Sequence, residues 1–297
     1  MLGITGDSAT GRSTLTRGIV QLLGQRGVTP ISLDDYYRFN RTERLRNNIS
    51  PLDPAASNIE LMTLQLQALR EGRTISKPTY DHRSGTLREP ETVAATGLVL
   101  AYGTCTLATP ELARLFDLSI YLEPDEQLRR AWRINRDVQQ RGYDPAEVTA
   151  LLARDTIDAL RHLRPQRTHA DVVIHFMAPP QDDAQLHQFG VRLWLRHTPC
   201  YYNLAPLIVP SAPHLCISPH IIDEDGQRCD QIDVDAALHP DEVQAFQHLL
   251  WNEAPDLQHL LLADFGALVG RDGVAHSDTL AFVQVLVAFL LVHTQKE

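Results

Sequence analysis

Lysine is almost missing from this chain. Of 27 basic residues only Lys77 and Lys296 are lysines, so nearly every fixed positive charge is the planar, forked guanidinium of arginine. The 37 acidic residues outnumber the basic ones and leave a formal charge of −10. That balance argues against a broad nucleic-acid or acidic-membrane surface, and any anionic ligand must be held by a local site. No C-x-x-C pair joins Cys105, Cys200, Cys216 and Cys229, which points to a reduced cytoplasmic protein rather than a disulfide scaffold. The longest apolar run, Leu280 to Val292, is too short to span a bilayer, and no secretory leader precedes Gly3. Internal repeats and low-complexity tracts are absent from the sequence as well.

What the chain does have is length enough, at 297 residues with 43% hydrophobic, for one large domain or a core with a smaller second domain. Its organising stretch is Gly6-Asp7-Ser8-Ala9-Thr10-Gly11-Arg12-Ser13-Thr14. Leu2 to Thr5 before it reads as a buried strand. Leu15, Ile19, Leu22 and Leu23 after it recur at helical spacing until Gly24. Strand, glycine turn, helix is the context of a phosphate-binding loop, in which inward-facing amides and a helix N-terminus attract anions. Ser13 would place its hydroxyl on a Mg²⁺ that bridges nucleotide phosphates. Arg12 stands where G-x-x-x-x-G-K-[ST] has lysine. Met1 stands unusually close to the glycine turn, which calls for a short first strand or a start further upstream.

Farther along, Ile31-Ser32-Leu33 leads into Asp34-Asp35, which puts acid at the carboxyl edge of a sheet, where open α/β folds bind ligands. Residues 42–57 read as a loop, and Asn58 as the N-cap of a helix that closes at Gly72. Lys77 to Gly85 reads as polar and turn-rich. Leu98 to Ala101, Leu118 to Leu122 and Asp171 to Ile174 read as buried strands, separated by helices of which one, after Pro124, carries Arg129, Arg130, Arg133, Arg136 and Arg141. The alternation predicts an α/β, doubly wound, mostly parallel sheet of the P-loop NTPase type. Composition changes near residue 178, so the expected organisation is a core over 1–178 and an α+β extension over 179–297 packed on it. The extension starts with a linker-like Pro179 to Asp183. Short strand-like runs follow at Val191 to Leu195 and Leu215 to Ile217, then helical patterns over Asp241 to Trp251 and Asp278 to His293.

Together, these segments in this order resemble the phosphoribulokinase/uridine kinase family of P-loop kinases, and within it the phosphoribulokinase branch. The resemblance runs to about Ile174 and returns in His276 to Ala281 with Gln284 to Ala288. It implies an ATP- and Mg²⁺-dependent transfer of the γ-phosphate to a hydroxyl of a sugar phosphate, with ribulose 5-phosphate the leading acceptor. It implies cofactor contacts from Gly6, Asp7, Ser8, Ala9, Thr10, Gly11, Arg12, Ser13 and Thr14, and metal contacts from Ser13 and Asp137. Asp34 matches the base that takes the hydroxyl proton; Arg12, Arg136 and Asp137 complete the catalytic set. Tyr37, Arg41, His82, Arg133, Arg136 and Arg141 match acceptor-side or lid positions, Arg141 with Gly142 at the lid's end. The implied partner is a small sugar phosphate, with no nucleic acid and no membrane, and self-association stays open.

Two departures stand out. Tyr37 occupies a position where phosphoribulokinases commonly carry histidine and uridine kinases an aromatic residue. Tyr102 replaces a glutamate that orders Mg²⁺, and a phenol is not an anion at neutral pH. Three other readings therefore stay open: a uridine-type nucleoside kinase, a nucleotide- or sugar-phosphate-binding regulatory relative without turnover, and a structural partner that modulates a true kinase by hetero-oligomerising with it. Each motif alone also has a plainer account, with Asp34 and Asp35 as turn residues and the arginine helix as a solvated face. His214, Cys216 and His220 lack the spacing of a zinc pair. Asp264-Phe265-Gly266 lacks the other protein-kinase motifs and is read as chance.

Overall fold

The computed structural model describes residues 1–24, 27–95, 97–141, 144–179, 187–206, 213–257, 265–270 and 273–294. In chain order the elements are β1 (Leu2–Gly6), α1 (Arg12–Leu23), β2 (Val28–Ser32), α2 (Arg41–Arg46), α3 (Ile59–Arg70), the hairpin strands β3 (Ile75–Asp81) and β4 (Thr86–Val93), and β5 (Leu98–Tyr102). Next come α4 (Pro110–Ala113), β6 (Leu118–Pro124), α5 (Glu126–Arg141), α6 (Pro145–Asp158), β7 (Val172–Met177), β8 (Gly190–Arg196), β9 (Leu215–Ile222) and β10 (Arg228–Val234). The last are α7 (Pro240–Glu253), the short pair β11 (Ala267–Gly270) and β12 (Gly273–His276), and α8 (Asp278–His293).

Eight strands form one sheet in the order β2-β5-β1-β6-β7-β8-β10-β9. From β2 to β7 all pairings are parallel; from β7 to β9 all are antiparallel. The expected α/β, mostly parallel architecture is therefore present, and the strands beyond residue 178 lengthen the same sheet. Both faces of the inner parallel strands are covered, which is why β1, β5 and β6 are buried almost throughout, whereas the edge strand β2 is only partly buried. In β5, Leu98 and Leu100 face a layer containing Leu15 and Ile19 of α1 and most of α8. Val99 and Ala101 face Met62, Leu66 and Leu69 of α3 and Leu112 of α4.

Helix α8 sits deep in the first layer, with every residue from Thr279 to Leu291 buried. It accounts for the long apolar run, and no described helix is long and apolar enough to cross a membrane. Where α1 crosses α8, Gly18 allows the approach. A Cβ there would stand 2.0 Å from Nε2 of Gln284, whose Oε1 accepts the amide of Gly266 at 2.8 Å.

Two expectations need correction. Residues 42–57 are not a plain loop: α2 forms there because Asn40 and Glu43 make a reciprocal capping box, and Pro54–Ala56 makes a 3-10 turn. The segment from Lys77 to Gly85 is mostly strand, since β3 pairs with β4 across a tight turn at Gly85. Residues 180–183 of the linker-like stretch, Gly142 and Asp264 lie outside the described residues.

Candidate active site

The register Ile4↔Tyr102 and Ser32↔Tyr102 brings β1, β5 and β2 to the same carboxyl edge. There the chain leaves the sheet into the glycine turn, the Asp34 turn and Gly103-Thr104. Gly6 is required at the turn's start: its φ is 149°, and a Cβ would stand 2.5 Å from the Leu122 carbonyl oxygen. Gly11 has φ 90°, and a Cβ on it would meet nothing within 4 Å, so the backbone there is open to close approach by a ligand. Ala9 takes a left-handed φ of 66° between them. Helix α1 begins at Arg12 with no side-chain cap, which leaves first-turn amides available for an anion. Ser13 is exposed on that first turn.

Arg12 turns away from solvent and pairs with Asp34, Nη2 to Oδ2 at 3.2 Å. Asp34 lies in a 3-10 turn, Leu33–Asp35, directly after β2. Its Oδ1 accepts the amide of Thr104 at 2.7 Å and the Thr104 hydroxyl at 3.0 Å. Burial raises the Asp34 pKa, but Arg12, the Thr104 amide and the nearby His82 outweigh it, and the carboxyl is held below the usual carboxylate range. Beside it, burial and the carboxylates of Asp35 and Asp34 push the Tyr102 phenol upward, so it stays neutral.

The arginines of α5 divide by face. Arg129 pairs with Asp7 of the glycine turn at 2.7 Å and with Glu126 at 2.7 Å. Asp7 nonetheless has a raised pKa, because burial outweighs Arg129 and the Ser8 amide. Arg133 is buried between Asp155 at 2.6 Å and Asp137 at 3.4 Å. Arg136 points to the turn: its Nη2 donates to Ser8 Oγ at 2.9 Å, and its Nε donates to Asp137 at 2.8 Å. Both oxygens of Asp137 thus face guanidinium groups. The side chain of Arg141 lies outside the described residues.

On the other flank, the β3–β4 hairpin and α2 surround Tyr37. Its ring lies 4.0 Å from the Arg44 guanidinium and 4.9 Å, edge to face, from Tyr80. Burial, with the charge of Asp34, raises its phenol well above the ordinary value. Arg41 donates to the His82 carbonyl at 2.7 Å. The His82 ring stands 3.8 Å from Asp35. Lys77, one of the two lysines, is buried and fixes the hairpin to the Asp34 turn through Asp35 at 2.6 Å, with Glu91 at 2.8 Å. A groove of about 470 Å³ opens beside Tyr37, Phe39, Leu61, Thr79 and Arg88. Neither Asp34 nor Arg12 lines it.

The structure thus gathers Gly6 to Thr14, Asp34, Arg136 and Asp137 at one sheet edge, with Tyr37, Arg41 and His82 on the flanking hairpin side. Arg133 faces carboxylates inside the helix layer. Sequence reasoning missed Thr104, Lys77 and Arg129. Thr104 had a signal, being a hydroxyl just after a strand and a glycine. Lys77 had one too, as a lysine kept in an arginine-dominated chain.

The pattern of the Phosphoribulokinase / Uridine kinase family matches residues 1–182. Phosphoribulokinase of Synechocystis sp. is 34% identical over 177 residues, 60% of this chain and 53% of that protein. The chloroplast phosphoribulokinase of Spinacia oleracea is 30% identical, over 62% and 50%. The chain thus spans about half the length of these phosphoribulokinases. Uridine kinase of Ligilactobacillus salivarius is 29% identical over 59% of this chain and 84% of its own. The solved phosphoribulokinase from Rhodobacter spheroides, 18% identical, superposes with a TM-score of 0.60 over 88% of this chain and 97% of its own, a likeness of fold. With its glycine turn, sheet order and family pattern in agreement, the chain belongs to the phosphoribulokinase/uridine kinase family.

Proposed function

We propose that this protein is a kinase that transfers the γ-phosphate of ATP to a hydroxyl of a small sugar phosphate, ribulose 5-phosphate being the first acceptor to test. The observation that carries this reading is the Arg12–Asp34 contact of 3.2 Å, which joins the phosphate turn to an ionised acid at the acceptor side. Phosphoryl transfer relies mainly on positioning and charge neutralisation. Here the open backbone at Gly11 and the α1 N-terminus would seat the phosphates, and Arg136 would cover them from α5. Asp34 would accept the proton of the attacking hydroxyl as the oxygen–phosphorus bond forms and ADP leaves. Thr104 holds the Asp34 carboxylate in place through two bonds.

The residues fit a Mg²⁺ ion unevenly. Ser13 offers an exposed hydroxyl on the first turn of α1. Asp137 offers a carboxylate already shared by Arg133 and Arg136. Bound beside Ser13, the ion would supply charge neutralisation at the phosphates.

A coupled ADP-release assay with ribulose 5-phosphate, uridine and no acceptor tests the reading. Sugar-phosphate-dependent ADP release is expected; release only with uridine would move the assignment to a nucleoside kinase. The neutral phenol of Tyr102, where the family resemblance places an acid, favours one further reading, nucleotide binding without turnover. Tight ATP binding with no release under any acceptor would establish it.

A further inference from the structure

The antiparallel end of the sheet carries a cluster that the phosphate chemistry does not use. His197 follows β8, His220 lies on β9 and Asp230 on β10, and one donor atom from each lies within 4.8 Å of the others. His197 Nε2 stands 3.0 Å and His220 Nδ1 3.9 Å from the same oxygen, Asp230 Oδ1. Tetrahedral zinc with ligands near 2.0–2.1 Å needs donors roughly 3.3 Å apart, so both separations require only small side-chain adjustments. Two imidazoles and a carboxylate form a borderline N/O donor set that suits a first-row divalent ion and gives Mg²⁺ or Ca²⁺ too few oxygens.

The surroundings orient these groups. Tyr201 donates its hydroxyl to Asp230 Oδ2 at 2.6 Å, the kind of outer contact that fixes a ligating carboxylate. The His197 ring packs on Tyr201 with centroids 4.2 Å apart. Backbone irregularity concentrates here as well. His220 has φ 56°, and the β9–β10 register shifts between Cys229 and Gln231, the interval that contains Asp230. The bulge and the left-handed residue deliver the exposed His220 imidazole to a buried carboxylate. His214, which the sequence places near His220, is used elsewhere: its Nδ1 pairs with Glu242 at 2.7 Å. In the sheet order β10 is four strands from β1, on the order of 19 Å away, so this cluster is separate from the glycine turn.

We infer that His197, His220 and Asp230 form a binding site for one Zn²⁺-class divalent cation, completed by water, which clips the ends of β8, β9 and β10 together. The ion replaces the two imidazole–carboxylate contacts with coordinate bonds and leaves one position open to solvent, since His220 is 76% exposed.

The test uses the full chain, stripped of metal with a chelator and titrated with Co²⁺, whose visible absorption reports tetrahedral nitrogen and oxygen ligation. One equivalent should bind with micromolar affinity, be displaced by Zn²⁺, and raise the melting temperature. His197→Ala and His220→Gly should each weaken binding at least about tenfold, and the Tyr201→Phe variant should weaken it less. Glycine tolerates the left-handed φ at 220, so the His220→Gly protein should fold and keep the assay interpretable. His214→Ala should bind as the parent does. Absence of a bound equivalent in the parent, or a bound equivalent that persists in the His197→Ala/His220→Gly double variant, would overturn the site.

Discussion

At the scale of single residues, Asp34 and Arg12 govern each other. The ion pair holds the Asp34 pKa below the ordinary carboxylate value, so Asp34 is ionised at neutral pH; with Asp34 as the proposed base, an acid limb in turnover near pH 7 would have to come from another group. The sign for stability follows. A depressed carboxylate contributes fully above the unfolded value, about 3.9, and that contribution is lost as pH falls through the lower folded value. Asp34→Asn should cut kcat by roughly two to four orders of magnitude while ATP affinity stays within a few-fold. Unchanged turnover would move the role to Asp35. The neutral Tyr102 calls for a paired reversal. Tyr102→Glu should raise turnover and lower the Mg²⁺ requirement, and Arg12→Lys should add to it by presenting a compact charge to the phosphates. Initial rates across a Mg²⁺ series would read both variants, and no gain in either would leave Tyr102 without a part in metal use. These residues were legible in the sequence because they sit at strand ends and turns. Thr104 had a local signal as a hydroxyl after a strand and a glycine, but its pairing with Asp34 was not legible, because the two lie 70 positions apart.

At the scale of elements, the hairpin and α2 show where pattern reading runs out. Alternation is weak in β4, where nearly every residue is exposed, and β3 carries a proline and a register shift. Pairing with each other, not the apolar pattern, makes these segments strands. Likewise α2 rests on its capping box rather than on an apolar stripe. What the hairpin does is set His82 beside Asp35, tied to the Asp34 turn through Lys77, and hold Arg41 of α2 through Gly85 and the His82 carbonyl. The Gly85 carbonyl accepts the Arg41 amide at 2.8 Å, φ is 75°, and a Cβ would lie 2.7 Å from the Arg41 Cβ. Gly85→Ala therefore both strains the turn and pushes Arg41. The expected result is a several-fold rise in the sugar-phosphate KM with ATP KM unchanged, comparable in direction with Arg41→Ala, for which about ten- to hundred-fold in kcat/KM is expected. A loss confined to ATP would place Arg41 on the nucleotide side instead.

At the scale of the whole molecule, one continuous sheet joins the two halves, and their packing makes a testable claim. Sequence likeness to the phosphoribulokinases covers about 60% of this chain, whereas the Rhodobacter spheroides fold covers 88% of it. The composition change near residue 178 was visible, but the continuity of the sheet was not. It depends on β8 pairing with β7 over six residue pairs, and no local pattern encodes that. More telling is α8, which ends the described chain yet lies under α1, the helix that follows the phosphate turn. A fragment of residues 1–178 would lose the β8 cover of β7 and expose the apolar face of α1 against which Phe282, Leu286 and Phe289 belong to one core layer. We expect that fragment to bind a hydrophobic dye, to lack a sigmoidal urea transition and to bind no ATP, whereas the full chain unfolds in one transition. A companion variant keeps the chain whole: Gly18→Val would force Gln284 from its contact with Gly266 and should cost about 1–3 kcal/mol by overpacking. If the fragment instead unfolds cooperatively and Gly18→Val matches the parent in urea, the C-terminal part is an appended layer rather than a structural support of the phosphate turn.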